Sequence, residues 1–256
     1  MNVLENKVAI VTGASSGIGH ATALLFARSG ARVVVSARRR PELDSLVARI
    51  KDEGGDAVAV AGDVQDEAVA RSLVDTAVDR FGGLDIAFNN AGSVGAMGPT
   101  PEMSLAGWRD CIDTNLTSAF LGAKFQLPAL IERGGGSLIF TSSFVGHSAG
   151  MPGMAAYAAA KSGILGLVKV LAAEWGAKGI RANAILPGGT DTPASFTNAP
   201  GAGPEVLAFV EGLHALKRIA RPEEIARSVL YLASDASSFV TGTAMLVDGG
   251  ASICRT

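Results

Sequence analysis

Cysteine, histidine and net charge are all scarce in this 256-residue sequence, and each shortage removes a class of function. Two cysteines, Cys111 and Cys254, are too few for a disulfide framework and stand in no metal-ligand spacing. The three histidines, His20, His147 and His214, form no pair at helical spacing, so no metal site is expected. Lysine and arginine total 22 against 24 acidic residues, a formal charge of −2. That balance gives no electrostatic footprint for nucleic acid or an anionic membrane surface. The most apolar helical stretch, 155–175, is broken by Lys161, Lys169 and Glu174, so no run of ~20 apolar residues suits a bilayer. Glu5 and Lys7 precede the first short apolar run, unlike a signal peptide. A soluble, cytoplasmic protein is the expectation.

What is abundant is apolar material: 48% of residues are hydrophobic and the mean hydropathy is +0.32, enough for a large core and too apolar for disorder. Short β-branched runs alternate with helical windows along the whole chain. Strands are expected at 7–12, 32–36, 57–61, 84–89, 137–142, 180–186 and 244–248. Helices are expected at 17–29, from 41 to the Gly54-Gly55 pair, at 66–81, 104–114, 116–132, 156–176 and 222–234. The strands are continuous apolar runs, as when both faces of a sheet are covered. The pattern predicts a single α/β domain over 1–256, a Rossmann-type doubly wound parallel sheet of about seven strands with helices on both faces. The Gly/Pro/Ala-rich stretch 187–204 is the one long irregular segment, and a substrate lid is expected over about 188–215.

The first strand runs directly into Thr12-Gly13-Ala14-Ser15-Ser16-Gly17-Ile18-Gly19 and then a helix. Glycines there permit a tight turn and close approach of phosphate, and a helix N-terminus offers unpaired N–H groups to an anion. The second strand ends Ser36-Ala37-Arg38-Arg39-Arg40, with no carboxylate before Glu42. A carboxylate at that place would hold ribose hydroxyls and repel a 2′-phosphate, whereas a guanidinium grips the phosphate. NADP(H) is therefore expected ahead of NAD(H).

Tyr157 and Lys161 stand four residues apart, on one face of a helix. A free phenol titrates near ~10, and an ammonium beside it is expected to lower that value and suit the pair to proton exchange with a substrate oxygen.

These residues fall among others that carry a resemblance: TGASSGIG at 12–19, Asp63-Val64, Asn89-Asn90-Ala91-Gly92, Asn115, Ser142-Ser143, Tyr157 with Lys161, Pro187-Gly188 and Asp248-Gly249-Gly250. In that order and spacing, over about 4–250, the chain resembles the compact branch of the short-chain dehydrogenase/reductase family. The resemblance implies that Tyr157 is the catalytic acid/base and that Lys161 binds the nicotinamide ribose and lowers the phenol. A serine after the fifth strand would orient the substrate oxygen, and Asn115 would hold a relay water. Asp63 and Val64 would bracket the adenine, and Asn89 would contact the cofactor. Thr192 would reach the carboxamide, with Ala91, Gly92, Pro187, Gly188 and Thr190 also facing the cofactor. A homotetramer is implied as well, in keeping with the Ala, Gly and Leu on more than one face of 116–132 and 156–176.

Ser143 precedes Tyr157 by 14 positions, one more than the family's usual spacing, so Ser142 and Ser143 both stand as candidates. Phe144-Val145-Gly146 aligns with the segment that follows the family's serine and favours Ser143. His147 reads as a solvent-facing loop residue, with contact to substrate as the alternative, and Cys111 as a packed thiol. Val94, Met97, Met151, Met154 and Phe196 are either pocket wall or lid packing. The expected activity is interconversion of a carbonyl (ketone, 3-oxoacyl or similar) and a secondary alcohol. The alternatives are an NAD(H)-linked alcohol or sugar dehydrogenase, and a catalytically silent cofactor-sensing protein. Few charges fall in the loops at 93–103, 147–155 and 188–215, which favours a neutral small-molecule substrate.

Overall fold

The computed structural model describes residues 2–199 and 201–254, without the side chain of Phe196. Seven strands form one parallel sheet: β1 (Val8–Thr12), β2 (Arg32–Ala37), β3 (Asp56–Ala61), β4 (Ile86–Asn89), β5 (Gly136–Thr141), β6 (Ile180–Pro187) and β7 (Ala244–Val247). Their order is β3-β2-β1-β4-β5-β6-β7, and every neighbouring pair is parallel. The order reverses between β1 and β4, which leaves a crevice beyond the carboxyl ends of those strands.

The helices are α1 (Gly17–Arg28), α2 (Arg40–Asp52), α3 (Glu67–Phe81), α4 (Leu105–Ile112), α5 (Ser118–Glu132), α6 (Ala155–Trp175), α7 (Pro204–Leu213) and α8 (Pro222–Ala233). Strand alternation divides the core into two layers. Val8 and Ile10 of β1 join Leu73 and Ala77 of α3, Ala123 and Leu127 of α5, and Ile164 and Val168 of α6. Ala9 and Val11 join Leu24 of α1, Leu43 and Leu46 of α2, and Ile225 and Val229 of α8.

Three features depart from the pattern read in the sequence. The windows 104–114 and 116–132 form one continuous run, because a π-helical turn at Asp113–Thr117 joins α4 to α5. Inside the expected lid lies the helix α7. Pro204 is at its start and Glu205 in its first turn, both favourable at a helix N-terminus. Finally, α6 is long and apolar enough to cross a membrane by length and composition alone. Its Ala156, Ala160, Lys161, Ile164, Val168 and Leu171 are buried inside the fold instead.

Candidate active site

A cleft of about 630 Å³ opens at the carboxyl ends of the strands, large enough for an extended ligand. Gly13, Ser15, Ser16, Gly17 and Ile18 line one end, with Arg38, Arg39, Asp63 and Val64 beside them. Ala91, Gly92, Asn115, Ser143, Tyr157, Lys161, Pro187, Gly188, Thr190 and Thr192 also line the cleft, and Thr192 stands against the glycine-rich turn, where a Cβ on Gly17 would lie 2.8 Å from its Cγ2. All were expected there.

The glycine-rich end fits an anion. Helix α1 has no side-chain cap at Ser16 and no acidic residue in its first turn, whereas Asp66 caps α3 and Ser104 caps α4. The first N–H groups of α1 are thus left for a ligand. Arg39 Nη2 donates to Ser15 Oγ at 3.0 Å and its Nε lies 3.3 Å from Glu42. Arg38 is 3.8 Å from the Asp63 carboxylate.

Two expected cofactor residues stand elsewhere. Gly19 does not line the cleft; a Cβ there would come within 2.4 Å of the Gly13 carbonyl, so it is required for close packing of α1 on the turn. Asn89 shares a strand face with Ala87, which is in the α3/α5/α6 layer, and it turns away from the cleft. Its amide exchanges two 2.9 Å hydrogen bonds with Gln126 of α5. The neighbouring Asn90, which carried no separate expectation, lines the cleft instead. Its Nδ2 donates to the Thr12 carbonyl at 3.1 Å, and its Oδ1 accepts from Thr141 Oγ1 at 3.0 Å. It ties together the ends of β1, β4 and β5. The doubled asparagine was visible in the sequence, but which of the pair faces the cleft depends on strand register.

The two serines separate by their partners. Ser142 is buried and its Oγ donates to the Lys161 carbonyl at 2.8 Å, bracing β5 against α6. Ser143 Oγ accepts from Val145 N at 3.1 Å and shares a hydrogen bond with the Tyr157 hydroxyl. Lys161 Nζ donates to the Thr141 carbonyl at 2.8 Å and sits 5.6 Å from the Tyr157 ring centroid.

Electrostatics correct one expectation. Burial pushes the Tyr157 phenol above its ordinary value, and the hydrogen bond with Ser143 only partly opposes this. Burial also brings Lys161 down to about 8. The lysine faces the ring and the Thr141 carbonyl, so its proximity does not overcome desolvation of the phenol. Tyr157 is a neutral acid near pH 7, and Lys161 still carries its proton there.

Asn115, 1% exposed, sits in the π-helical turn. Its Nδ2 donates to the carbonyls of Ser93 and Cys111, each at 2.9 Å, and its Oδ1 accepts from Ser93 N at 3.3 Å. A Cβ on Gly92 would lie 2.6 Å from Asn115 Oδ1 and 3.2 Å from Lys161 Nζ, so glycine keeps the space before Lys161 open.

Val94, Phe144, Val145, Met151, Met154 and Leu213 give the Tyr157 end of the cleft an apolar wall. Met97 is 56% exposed and does not line it, and the Phe196 side chain lies outside the described residues. His147 is exposed. Cys111 is fully buried, its thiol pushed up by burial. Sequence reasoning also missed His214, a buried residue of the cleft wall.

Comparison with known proteins agrees with this geometry. A family model described as enoyl-(acyl carrier protein) reductase matches residues 13–252. The chain is 41% identical over 250 residues to a cyclohexanol dehydrogenase of Acinetobacter sp. (strain SE19), covering 97% of this chain and 96% of that one. It is 39% identical over 244 residues to a cis-4-hydroxycyclohexanecarboxylate dehydrogenase of Sinomonas cyclohexanicum, covering 95% and 96%. Among solved structures, a short-chain type dehydrogenase/reductase from Mycobacterium marinum superposes with a TM-score of 0.91 at 36% identity, covering 98% of this chain and 97% of that one. With the Ser143, Tyr157 and Lys161 arrangement at the switch point of a seven-stranded parallel sheet, these matches place the chain in the short-chain dehydrogenase/reductase family, oxidoreductases that act on CH–OH groups with a nicotinamide cofactor.

Proposed function

We propose that this protein interconverts an uncharged alicyclic secondary alcohol and its ketone with NADP(H), using Tyr157 as the proton donor and acceptor. The observation that carries the reading is the Tyr157 hydroxyl, hydrogen-bonded to Ser143 and set against an apolar wall. The cyclohexanol and cis-4-hydroxycyclohexanecarboxylate dehydrogenases supply the ring-shaped substrate class. The six apolar side chains of that wall favour the uncharged ring, and Asp110, which also lines the cleft, disfavours a carboxylated one.

The residues present fit a dinucleotide: the uncapped α1 terminus and Ser15, Ser16 and Arg39 for phosphates, Asp63 and Val64 for adenine, and Pro187, Gly188, Thr190 and Thr192 for the nicotinamide half. When bound, the nicotinamide carries the hydride equivalent. In ketone reduction Tyr157 Oη gives its proton to the developing alkoxide and Ser143 Oγ holds that oxygen in place. In oxidation the same Oη takes the hydroxyl proton. Lys161 holds positive charge beneath the phenol and binds the nicotinamide ribose, with a relay water held at Asn115. The segment 188–215 closes over the apolar end as a lid of the single domain. The assembly is a homotetramer in the cytoplasm. Phe120 of α5 and Val170 of α6 support the assembly, at 51% and 52% exposed.

A second reading, NAD(H) as cofactor, draws on the ion pairs of the arginines. Arg38 is neutralised by Asp63 and Arg39 by Glu42, which lowers their attraction for a 2′-phosphate. Initial rates on cyclohexanol with NADP+ and NAD+ at equal concentration decide between them. Turnover of cyclohexanol with neither would refute the substrate class.

A further inference from the structure

His214 follows α7, is 2% exposed, and stands where three segments meet. Its Nδ1 is 2.7 Å from the Val210 carbonyl, and its Nε2 is 2.9 Å from the N–H of Gly189. A carbonyl can only accept and an N–H can only donate, so Nδ1 carries the proton and Nε2 accepts. Both ring nitrogens are thereby used, and the imidazole has no free atom for proton transfer to substrate.

The ring is also enclosed by glycine. A Cβ on Gly188 would lie 2.8 Å from Nε2, one on Gly189 would lie 2.9 Å from Cε1, and one on Gly249 would lie 3.3 Å from Cδ2. The turn after β6, the helix α7 and the turn after β7 are thus packed onto one imidazole. Gly188, Gly189, Val210 and Leu213 all line the cleft at this end. Arg38, Arg39 and Asp63, which mark the adenosine end, have no hydrogen bond or ion pair to His214 among the contacts described.

We infer that His214 is a positioning residue: it fixes the turn at 187–190 to the lid helix, so that the nicotinamide half of the cofactor and the substrate end of the cleft are set by one joint. The inference rests on the dinucleotide reading above. It separates the two halves of the cofactor, since a joint at Gly189 sets the nicotinamide half and leaves the adenosine half alone.

The test is calorimetric titration of wild type and variants with NADP+ and with 2′-phospho-ADP-ribose, which lacks the nicotinamide (NAD+ and ADP-ribose if that is the cofactor). His214→Phe fills the ring's place and leaves the Gly189 N–H without an acceptor. It should weaken the whole dinucleotide about tenfold, leave the fragment within about twofold, and raise the KM for cyclohexanol. His214→Gln, whose Oε1 reaches the Nε2 position, should return most of the loss. If His214→Phe does not fold, His214→Asn replaces it, since Asn keeps the donor to Val210 and cannot reach Gly189. An equal loss of dinucleotide and fragment, no loss of either, or no rescue by glutamine overturns the inference. A wild type that gains nothing from the nicotinamide half overturns the inference alone, whereas one that binds neither the dinucleotide nor the fragment overturns the dinucleotide reading, and the inference with it.

Discussion

Lys161 Nζ donates to the Thr141 carbonyl at 2.8 Å, while Ser142 Oγ, one residue further on, donates to the Lys161 carbonyl at the same distance. The end of β5 and the first turns of α6 are thus clamped twice through one lysine. That clamp fixes where Tyr157, one turn earlier on α6, meets Ser143. The ammonium is at the same time deeply buried, which brings it down to about 8. Catalytic placement and the cost of burying a charge therefore meet in one residue.

The pH dependence of the two directions follows from these groups. Burial holds the Tyr157 phenol protonated through neutrality, so ketone reduction has its proton donor ready. Oxidation needs the phenolate and should rise with pH from 6 to about 8, where Lys161 begins to lose its charge. Reduction should fall above about 8 as Lys161 loses its charge. Initial rates in both directions across that range are the check, and an oxidation rate flat with pH would contradict Tyr157 as the base.

Stability carries a second signature of Lys161. Its proton leaves near 8 in the folded protein and near 10.5 when unfolded, so between those values the unfolded chain holds more protons and stability rises with pH. Below about 8 the burial cost is present in full. Lys161→Met should therefore exceed wild type in Tm at pH 7, by several °C on the order expected for this chain length, and the gap should narrow by pH 10. A gap that does not change with pH would show that the lysine is not buried in its charged form.

Cofactor choice is open to a charge reversal. Arg38→Asp places a carboxylate beside Asp63 and should weaken NADP+ about 10- to 100-fold, the scale of a lost charged hydrogen bond, while leaving NAD+ little changed or tighter. Unchanged NADP+ affinity by calorimetry would move the phosphate contact to Arg39 and Ser15.

Assembly is tested on the exposed apolar face. If the proposed tetramer buries this face, Phe120→Glu should reduce the sedimentation coefficient from that of a tetramer, because a charge is costly to bury in an apolar contact. A wild type that sediments as a monomer would end that proposal.

Much of the fold was legible because parallel strands buried on both faces read as unbroken runs, and the windows at 17–29, 66–81 and 222–234 match α1, α3 and α8 within a residue or so at each end. That Tyr157 and Lys161 share a helix face was legible from their spacing, and their expected role came from the resemblance that the surrounding residues carry. What stayed hidden depended on direction and on distant partners. Asn89 and Asn90 are adjacent and chemically alike, and only sheet register sends one to Gln126 and the other to the cleft. His214 carries no local pattern, because Gly189 and Gly249 reach it from separate strands. The upward push on the Tyr157 phenol was not legible either, because burial is not a property of spacing.

The most direct test of the central claim is turnover by Tyr157→Phe beside wild type, with cofactor binding measured on both. Removing the hydroxyl should lower kcat by roughly 10²–10⁴ while dinucleotide affinity stays within about threefold, since only the proton at Oη is lost. Turnover close to wild type would contradict Tyr157 as the acid and base, and with it the account of this cleft.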